Sequence, residues 1–281
     1  MHETVPLTGV VGCPVGHSLS PKVHGHWLTR YGIAGHYVPL EVSERHLDRV
    51  LRTLPKAGFV GLNVTIPHKE HAFALADVRS DVAARLGAAN TLVFDPEKGI
   101  VADNTDGFGF LENLREAVPD WRADAGPATV IGAGGAARAV IVALLDAGVP
   151  ELRLVNRTKE RAEALRDEVA PAVAVLDWAQ TEDAMEGAAL VVNATSMGMP
   201  GGPPLSLDLR TVGPGTVATD IVYARGETPF LTAAKGRGAQ VVDGFGMLLH
   251  QARPGFERWF GRAPEVDDAL RRSVLGGSVP R

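Results

Sequence analysis

Apolar positions along the chain come in short runs, separated by stretches in which they recur every third or fourth residue. This alternation predicts strands joined by amphipathic helices. At the start of the chain the pattern reads as a strand at LTGVVG, a helix from about Pro21 to Tyr31, a strand at GHYVPLEV, a helix near Glu44 to Leu54 and a strand at GFVGLNVTI. Helices from about Lys69 to Leu75 and from Ser80 to Gly87 follow. The order predicts α/β layering around a parallel or mixed sheet.

Near residue 104 the character changes. NTDGFGFLENLREAV reads as a loop turning into an amphipathic helix, and PDWRADAGP after it as a turn-rich connector. ATVIGAGGAARAVIVALLDAG then gives a buried strand, a glycine turn and a long apolar helix ending on Gly148. ELRLVN, VAVLD, ALVVNAT, TVATDIVY and AQVVDG continue at the spacing of βαβ units in a doubly wound sheet. GFGMLLHQARPGFERWFG reads as a further amphipathic helix, expected to return to the first domain. The expected division is therefore a domain of residues 1–103 rejoined by 245–281, and a second domain of residues 104–244.

Composition narrows the function. The 281 residues suffice for a substantial core, and 45% hydrophobic with 22% charged residues is an ordinary folded composition. A net charge of -5 with scattered Lys and Arg carries no footprint for nucleic acid, so a small-molecule partner is expected. The single cysteine, Cys13, excludes an internal disulfide framework and argues against a thiolate metal cage. No basic-then-apolar segment opens the chain and no apolar run reaches the roughly 18 residues of a membrane span, so the expectation is a cytoplasmic protein with no membrane partner.

Gly132, Gly134 and Ala137 fit G-x-G-x-x-G/A, in which the glycines allow a tight turn and close approach of backbone to a pyrophosphate. The motif follows a strand and opens a helix, whose N-terminal N–H groups suit phosphate. An NAD site would place Asp or Glu at the end of the next strand, about 20 residues on. Here Asn156, Arg157 and Thr158 stand there instead. Arg157 can offer a planar cationic fork to a 2′-phosphate, which predicts NADP; the bland alternative makes Arg157 and Arg161 ordinary cations at a helix start.

NVTIPHKE places Lys69 just beyond a strand end, with Asn63 and Thr65 on one face of that strand. A lysine there can hold a hydroxyl and exchange its proton as an alkoxide becomes a carbonyl. Asp106 in NTDG is its natural partner, although an Asx turn before Gly107 would explain the same residue. Asn90 in AANT is either a ligand or a helix C-cap. SLSPKVHGH, residues 18–26, crowds serines, a lysine and two histidines together and leaves a metal, a nucleophile's partners or ligand hydroxyls open.

SLSP, NVTIPHK, AANT, NTDG, GAGGAAR, NRT, NATSMGM and GFGMLLHQA, in this order and spacing, resemble shikimate dehydrogenase from residue 16 to 260. The resemblance implies an α/β fold: an N-terminal substrate domain, a Rossmann-type NADP domain and a C-terminal helix returning to the first. It implies reversible NADPH-linked reduction of 3-dehydroshikimate to shikimate in aromatic amino-acid biosynthesis, by a monomer or homodimer. By resemblance Ser18 and Ser20 contact the substrate carboxylate, with Tyr223 nearby. Thr65, Lys69, Asn90, Asp106 and Gln251 surround the ring hydroxyls, with Lys69 and Asp106 as the catalytic pair. Gly132, Gly134, Gly135 and Ala136 match the pyrophosphate loop, Asn156, Arg157 and Thr158 the 2′-phosphate end, and Thr195, Met197, Gly244 and Met247 the nicotinamide surroundings.

Three departures from the family pattern stand out. Gly25 stands where Asn is usual, Arg225 where proline is common, and Pro254 with Gly255 should kink or break the last helix one turn after Gln251. Rival readings are a quinate or aminoshikimate dehydrogenase, a non-catalytic sensor of the same fold, and a zinc enzyme using His17, His24 and His26 or His68 and His71. The last lacks the cysteines or carboxylates to complete a metal shell.

Overall fold

A computed structural model of the chain describes residues 5–198, 203–222 and 226–276. These residues gather into two compact units, Met1–Thr105 with Gln251–Arg281, and Asp106–His250.

In the first unit Leu7–Gly12 (β1), Ser20–Tyr31 (α1), His36–Glu41 (β2), Leu47–Thr53 (α2), Phe59–Val64 (β3), Lys69–Leu75 (α3), Val78–Arg79 (β4), Asp81–Leu86 (α4), Thr91–Asp95 (β5) and Gly99–Asp103 (β6) follow in order. The sheet order is β2-β1-β3-β5-β6-β4. Strand β1 pairs in parallel with β2 and β3, while β5 is antiparallel to both β3 and β6. The sheet is therefore mixed, and its β5–β6 hairpin and the two-residue β4 are elements that hydrophobic periodicity does not mark. The hairpin turn is built by Asp95, whose carboxylate accepts the backbone N–H groups of Glu97 and Lys98 at 2.9 Å each.

Local chemistry sets the ends. Helix α1 carries Pro21 in its first turn and stops on Gly32 at φ 62°, and α4 starts where the Ser80 hydroxyl accepts the Ala83 N–H. Val11, Leu47, Leu51, Leu62, Val64, Ala72 and Leu92 form the core on one side of the sheet.

The second unit contains Asp106–Ala117 (α5), Ala128–Ile131 (β7), Gly135–Asp146 (α6), Leu152–Val155 (β8), Lys159–Val169 (α7), Ala174–Leu176 (β9), Thr181–Met185 (α8), Leu190–Asn193 (β10), Val217–Asp220 (β11), Pro229–Gly236 (α9) and Gln240–Val242 (β12). All its strand pairs are parallel, in the order β12-β11-β10-β7-β8-β9. This is the doubly wound dinucleotide-binding arrangement, with its topological switch point between β7 and β10. Strand β11 is shorter than TVATDIVY suggested. It ends at Asp220 because that carboxylate turns back to accept the Val222 N–H at 3.0 Å and the Thr228 hydroxyl at 2.8 Å. Tyr223 and Arg225 lie outside the described residues.

Helix Phe245–Phe260 (α10) runs unbroken through Pro254, so the expected break does not occur, and Asp268–Leu275 (α11) follows. A proline in a helix interior costs about 3 kcal/mol. Here the residues beyond it are deeply anchored in the first unit. Phe256 is fully buried against Trp27 and Phe260, and the Trp259 indole donates to the Leu92 carbonyl at 3.0 Å. Gly61 makes room for that indole: a Cβ there would sit 2.0 Å from Trp259 Nε1. The chain after α10 is strapped to α1 by the Trp27 indole on the Glu265 carbonyl and by Arg30 against Asp267. Among the described residues no helix is long and apolar enough to cross a membrane.

His24 sits wholly buried among these rings, stacked on Tyr37 at 4.0 Å. Neither of its ring nitrogens has a hydrogen-bond partner among the described residues. Burial lowers its pKa to about 3, against a weaker opposing pull from the Asn63 side chain. It is a neutral core residue. Because the unfolded chain takes up this proton near pH 6.5 and the folded chain does not, His24 withdraws stability as pH falls from about 6.5 toward 3. Replacing it with Phe should leave stability at pH 7 equal or higher. It should also flatten the loss of melting temperature between pH 7 and 4; an unchanged acid slope in paired thermal scans would refute this.

Candidate functional site

The two units each present a cluster of polar groups at strand ends. In the first unit the cluster is organised by Asn90, just ahead of β5. Its Oδ1 accepts the backbone N–H of Thr105 and the hydroxyl of Thr91, both at 2.9 Å, and its Nδ2 donates to Gln251 Oε1 at 3.4 Å. The C-cap alternative therefore falls: α4 is closed by Gly87 at φ 63°, and the Asn90 side chain turns to α10 instead. The Asn90 backbone carbonyl is also used, accepting Val64 N at 2.8 Å and Asn63 Nδ2 at 3.2 Å.

Asn63 extends this network inward, since its Oδ1 accepts the Tyr37 hydroxyl at 2.8 Å. Burial pushes the Tyr37 phenol upward, with the Ser20 hydroxyl pulling the other way, so Tyr37 stays a neutral donor. Ser20 opens α1, and its N–H donates to the Ser18 hydroxyl at 3.3 Å.

Thr65 and Lys69 come from the turn after β3. Thr65 donates its N–H to the Val11 carbonyl at 2.9 Å and packs so close to β1 that a Cβ on Gly12 would lie 2.5 Å from its methyl group. His68 locks the turn. Its Nε2 lies 2.6 Å from the Val42 carbonyl, which can only accept, so Nε2 carries the proton. Lys69 is then the first residue of α3, half-buried, and its carbonyl receives the N–H of Ala89, next to Asn90.

In the second unit Asp106 is already the first residue of α5 rather than part of a preceding turn, and it is buried. The glycine after it has a packing reason. A Cβ on Gly107 would meet the Ala139 carbonyl at 3.0 Å and the Ala143 methyl at 2.9 Å, so α5 lies tight on α6. Lys69 and Asp106 fall in different units.

The glycine turn follows β7 at the switch point. Gly132 has φ 113°, and a Cβ there would sit 2.9 Å from Ala194 and Thr195 after β10. By contrast, a Cβ on Gly134 or Gly135 would meet nothing within 4 Å. The space before the α6 N-terminus is open, which fits a pyrophosphate. Asn156 at the end of β8 holds this turn: its Oδ1 accepts the Ala133 N–H at 3.2 Å and its Nδ2 donates to the Thr158 carbonyl at 2.6 Å. Arg157 is exposed, and no ion pair engages it among the described residues. Ala136 lies in the first turn of α6.

Asn193 plays the same organising part after β10. Its Oδ1 accepts the N–H and hydroxyl of Thr195 at 3.0 and 2.7 Å, and its Nδ2 donates to the Met197 carbonyl and to Asp220. Burial raises the Asp220 carboxyl despite its bonds to Thr228, Val222 and Asn193. Gly244 is required by contact: a Cβ would fall 2.5 Å from the Ile221 carbonyl oxygen. Met247, one turn into α10, is buried.

Asn193, Asp220, Tyr37 and Thr105 join these clusters without having been singled out from sequence, and His68 joins as a turn lock rather than in the zinc role considered for it. Their shared signal is a polar side chain at the end of an apolar run, where a buried donor or acceptor needs a partner. His17, His24 and His26 form no metal cluster: His24 is sealed among rings, and among the described residues no three His, Cys, Asp or Glu side chains are placed to hold a metal ion.

Comparison with known proteins places this geometry. Residues 10–92 match the family described as Shikimate dehydrogenase substrate binding domain, residues 117–200 the Shikimate / quinate 5-dehydrogenase family, and residues 244–272 the Shikimate 5'-dehydrogenase C-terminal domain. The shikimate dehydrogenase (NADP(+)) of Paracoccus denitrificans is 63% identical over 270 residues, 96% of each chain. The solved shikimate 5-dehydrogenase of Thermus thermophilus, in complex with NADP(H) and shikimate, is similar at TM-score 0.84 and 36% identity, covering 96% of this chain and 98% of that one. The quinate dehydrogenase of Corynebacterium glutamicum in complex with NAD is similar at TM-score 0.88 and 33% identity, covering 96% and 98%.

The two kinds of glycine predict opposite outcomes. Gly244→Ala drives a methyl into backbone and should cost about 2 kcal/mol, or about 5 °C in melting temperature. Gly134→Ala has room and an extended backbone, so it should melt with the parent protein while weakening dinucleotide binding in a fluorescence titration. Equal melting temperatures for the two variants would refute the assignment.

Proposed function

The chain belongs to the shikimate dehydrogenase family, and on that premise we propose how its residues carry out the reversible NADPH-dependent reduction of 3-dehydroshikimate to shikimate. One observation carries the substrate half of this reading: neutral amides and hydroxyls, with Asn90 bonded to Gln251 and held by Thr91 and Thr105, gather at the strand ends of the first unit. A hydroxylated ring is read by such directional bonds, because an analogue lacking one hydroxyl leaves a buried partner unpaired.

In this reading Ser18 and Ser20 hold the carboxylate, with Tyr223 beside it, and Thr65, Asn90 and Gln251 hold the ring hydroxyls. Lys69 gives its proton to the oxygen that becomes the hydroxyl and takes it back in the reverse direction, while Asp106 orients the same hydroxyl and the lysine. Residues 1–103 and 245–281 serve the substrate, and residues 104–244 the dinucleotide. Gly132, Gly134, Gly135 and Ala136 would carry the pyrophosphate, and Thr195, Met197, Gly244 and Met247 would border the nicotinamide. The bound dinucleotide supplies or accepts the hydride.

Asn156, which also ties the glycine turn, would with Arg157 and Thr158 form the 2′-phosphate end. No acidic side chain ends β8, which supports NADP over NAD. The proposal also includes a cytoplasmic location, which a lone cysteine suits, and a monomer or homodimer.

Initial rates with shikimate or quinate and NADP or NAD, in all four pairings, test the reading. Shikimate with NADP should be the fast pair. Lys69→Ala should cut kcat by about 10²-fold or more. Arg157→Ala should raise the KM for NADP about tenfold and leave that for NAD unchanged. A quinate or NAD preference would overturn the specificity assigned to these residues, and silence in all four would favour a ligand sensor.

A further inference from the structure

The chain crosses between the two units twice, at Thr105–Asp106 and within α10 at His250–Gln251. On the first unit's side the crossings are tied together. Thr105 is buried, and its hydroxyl donates to the Gln251 backbone carbonyl at 2.8 Å. That hydroxyl has a single proton and two other oxygens in reach, Asn90 Oδ1 at 3.1 Å and Thr91 Oγ1 at 3.4 Å. Asn90 Oδ1 already receives the Thr105 N–H and the Thr91 hydroxyl, one for each lone pair. The proton therefore belongs to the Gln251 carbonyl.

Helix α10 has a particular need for it. Pro254 has no N–H, so the His250 carbonyl loses its donor in the helical ladder, and the turn carrying Gln251 is the weakened one. A second tie from the other unit's side strengthens the same turn, since His250 Nε2 meets the Glu116 carboxylate of α5. We propose that Thr105 is a positioning residue. By holding the Gln251 carbonyl it replaces support that Pro254 removes from α10, and so keeps the Gln251 side chain against Asn90. The proposal rests on the reading that Asn90 and Gln251 face the substrate; Thr105 itself is buried and is assigned to neither substrate nor cofactor.

The test compares the full-length parent protein with Thr105→Val, Thr105→Ser, Pro254→Ala and the double variant Thr105→Val/Pro254→Ala. Shikimate oxidation with NADP is followed together with NADP affinity by fluorescence. Thr105→Val should raise the KM for shikimate about tenfold, the scale of one lost hydrogen bond, with kcat changed less than about threefold and NADP affinity unchanged. Thr105→Ser should restore the KM to within about twofold. Pro254→Ala alone should behave as the parent protein, and on that background Thr105→Val should cost about threefold or less.

A KM for Thr105→Val within twofold of the parent overturns the proposal. So does a serine variant no better than valine, a full tenfold effect on the Pro254→Ala background, or a matching loss of NADP affinity. Should Thr105→Val fail to fold alone, folding of the double variant supports the proposal and its failure overturns it. A parent protein that does not oxidise shikimate overturns the functional reading and this one with it, whereas an active parent with an indifferent Thr105→Val variant overturns this one only.

Discussion

A side-chain amide buried at the end of a strand must find all its hydrogen-bond partners inside the protein, and both units are arranged around one such amide. A lost partner there leaves a desolvated group worth about 1–3 kcal/mol. Asn90 binds the start of β5, the residue before α5 and the helix α10 into one arrangement. Asn193 does the same after β10 for the Thr195 turn and, through Asp220, for the end of β11. In each case threonine supplies the matching hydroxyl. The loops that bear the proposed ligand-facing groups are therefore fixed by the rule that keeps the core dry, and not by contacts with a ligand.

Glycine provides the second constraint, by close approach. Gly12 lets Thr65 lie on β1, Gly107 lets α5 lie on α6, and Gly244 lets the start of α10 lie on the Asp220–Ile221 peptide. Gly134 and Gly135 differ, because no protein atom occupies the space their side chains would fill. Gaps of the first kind are closed by folding, whereas the second kind lies at the N-terminus of α6, where backbone N–H groups suit a phosphate. The same motif, GAGG, thus contains one glycine needed by the fold and two that suit a phosphate.

Much of this was legible in the sequence because it rests on local signals. The alternation of strands and helices, the proline and glycine at the ends of α1, and the glycine turn opening α6 depend on residues close together in the chain. The β5–β6 hairpin was harder to see, since five-residue strands joined by a turn give little periodicity. The roles of Tyr37, His68, Asn193 and Thr105 were harder still. Each bonds to a group from another element, and nothing in a single sequence says which distant carbonyl will need a donor. Asn156 shows the same: the sequence places it beside Arg157 but does not show that its side chain also ties the Ala133 and Thr158 backbone together.

The departures from the family pattern follow the same logic. A Cβ at Gly25 would meet nothing within 4 Å, and its carbonyl receives the Thr29 hydroxyl at 2.9 Å, so the helix there is complete without a larger side chain. Pro254 is a more serious change, because it removes a backbone donor that no substitution elsewhere in the helix can restore. Propensity alone would end α10 at Arg253. Phe256 and Trp259 lie past the proline and bury large aromatic surfaces in the first unit, which at about 25 cal/mol per Å² outweighs one missing ladder bond. Tertiary burial therefore decides the length of this helix, and the residue that departs from the pattern is tolerated where the packing on its far side is strongest.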